Sequence, residues 1–336
     1  MHILIIGGTR FLGRHIAESA LSGGHRVTLF HRGRTMPDGL PGAENVIGDR
    51  ADDIARLSER FDAVVDTCGY LPRDVAASCA HLHAISPSAT YAFASSVSAY
   101  RDGFPAGADE SASLWDTGDP GATEVAPETY GPLKALCEAA AIERFGRAAL
   151  VFRPGLIVGP HDPSDRFTYW VRRVGDGGAV LAPGSPKRCV QLIDARDLAA
   201  WIVASLEERR GGTFNATGPL EPLAFGALLL ACRAALESDA EFVWAPQDFL
   251  IGQGVEPWTE MPLWIPETEA GGWDSISMTR ALSTGLEFRP LHETILDTWR
   301  WDRERDRGVP LKAGITAERE ASLLEELRRG RSRRPE

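Results

Sequence analysis

Short runs of apolar residues alternate with amphipathic segments through the first half of the chain. The runs occupy residues 2–6, 26–30, 62–66, 89–94 and 148–152. Each run is short and continuous, as is typical of a strand buried on both faces of a sheet. The stretches 10–22 and 52–60 between them have apolar residues at helical spacing. Strands that alternate with helices predict right-handed βαβ crossovers and therefore a doubly wound, parallel α/β sheet of the Rossmann type.

The composition changes after residue 153, where Pro and Gly become frequent and tryptophans gather at Trp258, Trp264 and Trp273. Helical patterns return at 194–207, 221–236 and 290–306, and a charged amphipathic helix is predicted at 317–329. We predict a Rossmann domain at 1–152 plus about 189–215, and a smaller C-terminal substrate-binding lobe at about 153–188 plus 216–312. Residues 313–336 form the predicted last helix and a basic tail.

Charge and composition restrict the partners of the chain. The formal net charge of −11 argues against a nucleic-acid partner, because phosphate neutralisation needs clustered Lys and Arg. The five cysteines are scattered without a C-x-x-C pair, which indicates reduced thiols. The first strand begins at residue 2 and no apolar run approaches the ~18 residues of a membrane span. We therefore expect a cytoplasmic protein without a signal peptide or a membrane partner.

A glycine-rich turn, Gly7-Gly8-Thr9-Arg10-Phe11-Leu12-Gly13, directly follows the first predicted strand and opens the first predicted helix. The N-terminus of a helix presents free N–H groups and the positive end of the helix dipole to a pyrophosphate. Glycine is required where a side chain would block that approach. We assign Gly7 to the tight turn, Gly8 to the approach of the phosphates and Gly13 to close packing of helix and strand.

The second strand ends in basic residues, His31-Arg32-Gly33-Arg34, where an NAD-binding chain usually has Asp or Glu for the ribose hydroxyls. Guanidinium groups suit a ribose 2′-phosphate, because they are planar and permanently charged. We therefore expect NADP(H) to be preferred, with NAD(H) as the alternative, although a solvated basic loop would explain the same residues. Asp49 is placed to accept a hydrogen bond from the adenine. The predicted cofactor-binding set is the glycine turn together with His31, Arg32, Asp49, Arg50 and Thr67.

Tyr130 and Lys134 are four residues apart and therefore lie on one face of a helix. A lysine ammonium close to a tyrosine stabilises the phenolate, which moves the tyrosine pKa toward the range useful for proton transfer. Pro132 between them is tolerated if the helix starts near Thr129. Ser96 follows the strand 89–94, where its hydroxyl can polarise a substrate oxygen. We predict that Ser96, Tyr130 and Lys134 are catalytic.

Three other groups carry weaker signals. Tyr70 and His161 are candidates for additional acid–base groups, although each is more often an ordinary loop residue. His81 and His83 have no carboxylate or cysteine cluster to match them, so we predict no metal site.

These motifs together resemble the extended short-chain dehydrogenase/reductases, also called the NAD-dependent epimerase/dehydratase family. The resemblance extends to about residue 305 and rests also on the segments 153–160, 193–199 and 213–218. It implies a doubly wound sheet, a C-terminal substrate lobe, a small-molecule substrate and often a homodimer. It also implies a Ser/Tyr/Lys triad, which corresponds to Ser96, Tyr130 and Lys134.

Some positions depart from the family pattern. Arg10 replaces the middle glycine, which places the chain in a subgroup with a G-G-T-R-F-x-G turn. Sugar-nucleotide members usually have R-P-x-N-x-Y-G-P, but Leu156 and Val158 replace the Asn and Tyr, and Val190 replaces an arginine that often grips phosphates. We therefore expect an NAD(P)-dependent oxidoreductase acting on a carbonyl or secondary alcohol. Two alternatives are an epimerase with tightly bound NAD and a non-catalytic dinucleotide- or RNA-binding regulator on the same fold.

Overall fold

A computed structural model of the protein describes residues 1–35, 40–267 and 271–332, and the chain divides into two compact units. The first unit contains Met1–Ile157, Leu192–Gly218 and Ile276–Phe288. The second contains Val158–Gln191, Pro219–Ser275 and Arg289–Glu336. The end of the predicted basic tail, 333–336, lies outside the described residues. The assignment of a cofactor domain and a substrate lobe stays a prediction.

The strands, in chain order, are β1 (His2–Ile6), β2 (Arg26–His31), β3 (Glu44–Ile47), β4 (Ala63–Asp66), β5 (Thr90–Ala94), β6 (Ala149–Pro154), β7 (Leu156–Val158), β8 (Ala179–Pro183), β9 (Cys189–Val190), β10 (Leu192–Asp194), β11 (Gly212–Ala216), β12 (Leu223–Ala224) and β13 (Glu241–Ala245). The α-helices are α1 (Phe11–Ser22), α2 (Pro72–Ile85), α3 (Pro127–Phe145), α4 (Arg166–Gly175), α5 (Ala195–Glu207), α6 (Phe225–Ala235), α7 (Gln247–Gly252), α8 (Thr279–Leu282), α9 (Leu291–Arg303) and α10 (Ala317–Ser332). Single turns of 3-10 helix occur at Ile54–Arg56, Val97–Ala99 and Gly146–Ala148.

The first unit is built on a parallel sheet with the strand order β11-β6-β5-β4-β1-β2-β3 in the part of the chain that the structure describes. The chain moves outward from β1 to β3 and then returns to the other side of β1, so the order reverses between β1 and β4. Ligands of open α/β sheets bind beyond the carboxyl ends of the strands at such a reversal. The predicted doubly wound Rossmann fold is confirmed, and β11 rejoins the sheet beside β6.

Side chains of the central strands alternate between two apolar layers. Ile3 and Ile5 of β1 point to the layer covered by α1 and α5, whereas Leu4 and Ile6 point to the layer covered by α2 and α3. This alternation follows from the two-residue period of a strand. Because both faces are covered, the strands are continuous apolar runs, which is the pattern that made them visible in the sequence.

The second unit packs helices around two short strand pairs. β8 pairs with β13 in parallel, and β9 pairs with β12 in antiparallel orientation. Helices α4, α6 and α9 contact one another, and Trp170 of α4 is fully buried against Phe225 with its Nε1 donating to the Pro262 carbonyl at 2.8 Å. Arg172 binds Asp302 through two hydrogen bonds of 2.7 and 2.6 Å, which fixes α4 to α9.

The structure corrects the prediction of a helix at residues 52–60. Residues 52–60 form only the single turn Ile54–Arg56 rather than a helix, because the Asp49 carbonyl and the Asp53 carboxylate bond to nearby backbone N–H groups and create turns. Gly24, with φ +77°, adopts the left-handed conformation after α1, whereas Gly23 has φ −76°. Within the described ranges, no helix is both long and apolar enough to cross a bilayer. The cytoplasmic location stays a prediction.

Candidate active site

The glycine turn lies at the carboxyl end of β1, next to the reversal of the sheet. Gly7 has φ +87°, and a Cβ there would lie 2.9 Å from Thr67 Oγ1. A Cβ on Gly13 would lie 2.7 Å from the Gly7 carbonyl oxygen, so only glycine lets α1 start this close to the turn. Thr67 Oγ1 donates to the Ile6 carbonyl at 2.9 Å, which ties the end of β4 to the end of β1. Thr67 therefore supports the shape of the turn.

Gly8 packs closely inside the protein. A Cβ there would lie 2.5 Å from Leu29 Cδ2 and 3.1 Å from Ile5 Cγ2. Packing against β1 and β2 therefore requires glycine, and the approach of the phosphates at Gly8 stays a prediction. Phe11 begins α1 with φ +35°, a conformation that L-residues rarely adopt. The first N–H groups of α1 have no intrahelical acceptor, so the turn and this helix start fit a nucleotide phosphate.

The basic residues around the turn divide into two kinds. Arg10 and Arg32 are exposed, and neither forms an ion pair with another described residue. His31 is buried and engaged on both sides of its ring, because Nδ1 accepts from the Gly33 N–H at 3.1 Å and Nε2 bonds to Asn45 Oδ1 at 3.0 Å. The two arginines are therefore available to an anion, whereas His31 holds the backbone of the loop.

Arg50 forms a buried ion pair at the end of β4. Its guanidinium forms two hydrogen bonds of 2.9 and 2.8 Å with the carboxylate of Asp66, which is fully buried at the end of β4. It also donates to Ser78 Oγ at 3.0 Å. Burial raises the pKa of the Asp66 carboxyl, but the Arg50 charge and the hydrogen bonds from Arg50, Tyr91 and the Cys68 N–H together outweigh that effect, and the pKa lies below its usual value. Arg50 thus compensates the buried Asp66 carboxylate, which would be costly if it were unpaired. The contact of Arg50 with a cofactor stays a prediction.

Asp49 closes a turn after β3. Its Oδ1 accepts from the Ala51 N–H at 3.1 Å, and its own N–H donates to Asp53 Oδ2 at 2.9 Å. The predicted contact between Asp49 and the adenine therefore stays a prediction.

Ser96 and Tyr130 are brought together beyond the carboxyl end of β5. Ser96 caps the 3-10 turn Val97–Ala99 by accepting from the Ser98 N–H at 3.1 Å, and its side chain lies near the Tyr130 hydroxyl. Burial raises the pKa of the Tyr130 hydroxyl, whereas the Ser96 side chain lowers it, and the pKa stays above its usual value. This differs from the expectation that Lys134 would lower the pKa of Tyr130. The hydroxyl is therefore protonated at neutral pH.

Lys134 is buried one turn further along α3, with 3% of its surface exposed. Its Nζ donates to the carbonyl oxygens of Gly69 and Ala94 at 2.8 and 2.7 Å, and it lies 5.9 Å from the centroid of the Tyr130 ring. Burial lowers the pKa of the ammonium to about 8. The carbonyl bonds thus bring the lysine between the ends of β4 and β5, close to the tyrosine.

A close backbone contact fixes α3 beside Ser96. A Cβ on Gly131 would lie 2.1 Å from the Ser98 carbonyl oxygen, so any side chain at this position would separate the helix from the turn that carries Ser96. Helix α3 begins at Pro127, two residues before the predicted start. Pro132 therefore lies inside the helix, where it removes one hydrogen bond, to the carbonyl of the exposed Glu128.

Sequence reasoning missed a buried polar network behind the site. Glu138, one turn beyond Lys134, accepts from Arg153 at 2.9 and 2.6 Å and from the Ser95 hydroxyl. Arg153 also donates to the Tyr100 hydroxyl at 2.9 Å, which donates to Asn215 Oδ1 at 2.7 Å. The only signal was the four-residue spacing of Lys134 and Glu138, because the network joins α3 to β6 and β11, which lie far apart in sequence. It fixes the face of α3 that carries Tyr130 and Lys134.

The weaker candidates are placed as follows. The Tyr70 ring lies 6.4 Å from the Tyr130 ring, measured between centroids. His161 belongs to the second unit, where its ring packs against Trp301 at 5.5 Å. Among the described residues, His2, Glu44 and Glu59 place possible metal ligands within 4.8 Å of one another at the opposite end of the sheet, but Arg26 binds both carboxylates, at 2.8 and 3.0 Å. The expectation of no metal stays a prediction.

Comparisons with known proteins agree with this architecture. The model of the NAD-dependent epimerase/dehydratase family matches residues 3–217. A curated protein from Arabidopsis thaliana, the chloroplast stem-loop binding protein of 41 kDa b, is 27% identical over 273 residues, which are 75% of this chain and 68% of that protein.

Two crystal structures share the fold at low identity. UDP-glucuronic acid 4-epimerase from Bacillus cereus, in complex with NAD, is 14% identical with a TM-score of 0.64 and 90% and 99% of the two chains covered. UDP-glucose 4-epimerase from Thermotoga maritima, with UDP-glucose, is 18% identical with a TM-score of 0.65 and the same coverage, 90% and 99%.

The first prediction concerns the ion pair behind the site. Arg153→Met leaves the Glu138 carboxylate buried without its partner, so we expect a loss of about 3–5 kcal/mol in the free energy of unfolding. Urea denaturation followed by circular dichroism measures this loss. The matched control is Arg26→Met, which breaks an exposed pair with Glu44 and should leave the midpoint close to that of the wild type. Equal midpoints for the two variants would contradict the assigned role of the network.

The second prediction concerns the contact between α3 and the Ser96 turn. We expect Gly131→Ala to destabilise the protein by about 1–3 kcal/mol, because its Cβ would overlap the Ser98 carbonyl. Gly252→Ala is the control, since a Cβ there meets no heavy atom within 4 Å. Its midpoint in the same urea titration should match the wild type. A wild-type urea midpoint in Gly131→Ala would show that α3 and the turn that carries Ser96 are not in close contact.

Proposed function

Because the chain belongs to the NAD-dependent epimerase/dehydratase family and is an enzyme of the short-chain dehydrogenase/reductase type, we propose that it interconverts a carbonyl and a secondary alcohol of a small molecule. One observation carries the proposal. Ser96, Tyr130 and Lys134 meet at the carboxyl end of β5, in the same sheet whose β1 leads into the glycine turn. A nucleotide site and a proton-transfer site thus share one edge of the sheet.

The turn before α1, the exposed Arg10 and Arg32, and Lys134 would hold a dinucleotide coenzyme. When bound, a nicotinamide supplies the hydride acceptor or donor for the reaction. Lys134 has two of its three N–H donors committed to carbonyl oxygens, so the third is left for a ribose hydroxyl. The fit rests on the helix N-terminus and the absence of side chains at Gly7 and Gly13.

The residues of the site support proton transfer at the substrate oxygen. Tyr130 is protonated at neutral pH, so its hydroxyl can donate to an oxygen that gains negative charge during carbonyl reduction. Ser96 accepts from a backbone N–H, so its own proton can be donated to the same oxygen when a substrate is bound. The positive charge of Lys134 stabilises the phenolate that remains. In the oxidation of an alcohol, the same groups take the proton back.

Two alternatives remain open under the same fold. An epimerase would use the same triad to oxidise and re-reduce one bound substrate, and it would keep its NAD through dialysis. The similarity to a stem-loop binding protein favours a test of RNA binding, although the net charge of −11 opposes it. A stem-loop RNA that binds at physiological salt more tightly than either coenzyme would support that candidate. The homodimer stays a prediction from the family resemblance.

The third prediction tests Tyr130. Tyr130→Phe removes the hydroxyl but keeps the ring, so we expect turnover of a confirmed substrate to fall about 10²- to 10⁴-fold while coenzyme binding changes little. Spectrophotometric assays of coenzyme absorbance give the turnover rate, and isothermal titration calorimetry gives the affinity for the coenzyme. Tyr169→Phe, a tyrosine of the second unit outside the proposed site, serves as the control. Full turnover in Tyr130→Phe would rule out the proposed proton donor.

The fourth prediction tests the coenzyme preference. We propose that NADP(H) is preferred over NAD(H), because Arg32 is exposed and unpaired within the described chain beside the predicted 2′-phosphate position. Arg32→Ala should weaken NADPH about 10- to 100-fold, as expected for a charge-assisted hydrogen bond, and should leave NADH unchanged. Arg101→Ala, another exposed arginine of the first unit, is the control. An equal effect on both coenzymes, or none, would contradict the preference.

A further inference from the structure

Three aromatic rings lie close to the Lys134 ammonium. Two of its donors bond to the Gly69 and Ala94 carbonyls, and the ring centroids of Tyr70, Phe93 and Tyr130 lie 4.7, 5.0 and 5.9 Å from Nζ. A cation within about 6 Å of a ring centroid is attracted by the ring face. Tyr70 is the nearest of the three rings.

Tyr70 is the most exposed of the three rings. It is 46% exposed, whereas Tyr130 is half-buried, Phe93 is fully buried and Lys134 is 3% exposed. The Tyr70 ring therefore has solvent on one side and the ammonium on the other. A smaller side chain at this position would let more water reach the buried charge.

The backbone holds Tyr70 in this position. The carbonyl that accepts from Lys134 at 2.8 Å belongs to Gly69, the residue directly before it. A Cβ on Gly69 would lie 2.6 Å from Phe93 Cε2 and 2.8 Å from Val75 Cγ2, so the loop is pressed against the sheet and α2. The ring and the ammonium are thus fixed to each other through two consecutive residues.

The charged groups near Lys134 do not stabilise its ammonium in place of the aromatic rings. Among the described residues no carboxylate forms an ion pair with Lys134, since the nearby Asp66 is bound by Arg50. Burial has the largest effect and lowers the pKa of the ammonium to about 8. Cys137 of α3, Asp66 of β4 and Cys68 after it act in the opposite direction, and Arg50 acts in the same direction as burial.

We propose that Tyr70 is a positioning residue for Lys134, in which the aromatic ring shields the ammonium from water and holds it against the two carbonyls beside Tyr130. The role rests on the proposed function of Lys134. It is performed by the ring and not by the hydroxyl, because the Tyr70 ring centroid lies 4.7 Å from Nζ, while in the described part of the chain no hydrogen bond joins the Tyr70 hydroxyl to Lys134. This separates Tyr70 from a role as an additional acid or base.

The chain is well suited to a direct test, because it has only three lysines, Lys134, Lys187 and Lys312. Protein labelled with ¹³C at lysine Cε gives one resonance per lysine, and Lys134→Arg assigns the buried one. Titration of wild type, Tyr70→Phe and Tyr70→Ala yields the pKa of Lys134 without any coenzyme or substrate. Tyr70→Phe keeps the ring, so it should match the wild type.

Tyr70→Ala should raise the pKa of Lys134 by about one unit or more, because entry of water removes part of the desolvation that lowers it. The resonances of Lys187 and Lys312 should titrate as before. An unchanged Lys134 in folded Tyr70→Ala would overturn the proposal. If that variant does not fold, Tyr70→Leu keeps apolar cover but removes the ring face, and we then expect a fall of a few tenths of a unit. An unchanged pKa in Tyr70→Leu would equally overturn it.

A pH profile separates this role from the proposed reaction. With a confirmed substrate, kcat/KM should fall as the pH rises through the pKa of Lys134, because the protonated form is the active one. In Tyr70→Ala this limb should move to higher pH by the same amount as the NMR titration, while Tyr70→Phe restores the wild-type profile. If turnover does not depend on Tyr130 but the Lys134 pKa still rises in Tyr70→Ala, the proposed function is wrong, whereas the shielding of Lys134 by Tyr70 is supported. If the high-pH fall of kcat/KM in Tyr70→Ala does not move by the same amount as the Lys134 pKa measured by NMR, the positioning role of Tyr70 is overturned.

Discussion

Burial of charge on one face of helix α3 is the constraint on which the site depends. Tyr130, Lys134 and Glu138 follow one another at four-residue spacing and face the carboxyl ends of β5 and β6. A buried charge must be compensated by hydrogen bonds or by an opposite charge. Glu138 is compensated by Arg153, and Lys134 by two backbone carbonyls. The ion pair and the carbonyl bonds hold α3 in one position on the sheet, and Gly131 lets α3 lie close to the turn that carries Ser96.

The two compensations have different consequences. The Glu138–Arg153 pair is complete and rigid, whereas Lys134 has carbonyl acceptors but no counter-charge among the described residues. Its pKa in the folded protein, about 8, lies below the ordinary value of 10.5. The buried ammonium therefore destabilises the fold below pH 8, and this penalty decreases as the pH rises from about 8 to 10.5. A destabilising charge held next to a tyrosine is typical of residues kept for chemistry rather than for stability.

The sequence predicted those parts of the fold that depend on local patterns. The buried strands were visible as continuous apolar runs, and the turn from Gly7 to Gly13 was visible because close backbone packing requires glycine. The partners of buried charges were not predictable, because Arg50 and Asp66 or Glu138 and Arg153 come together only when the sheet forms. For the same reason, the ion pair of Arg50 and the packing contacts of Gly8 could not be read from the sequence.

We infer that Lys134 meets a nicotinamide coenzyme at the end of β5. The resonance of ¹³Cε-labelled Lys134 during titration with NADPH and, separately, NADH tests this contact. We expect a saturable shift of the Lys134 signal that follows the binding curve and is reached at lower concentration with NADPH, while Lys187 and Lys312 do not respond. Binding that leaves Lys134 unchanged, or no binding of either coenzyme, would contradict this inference.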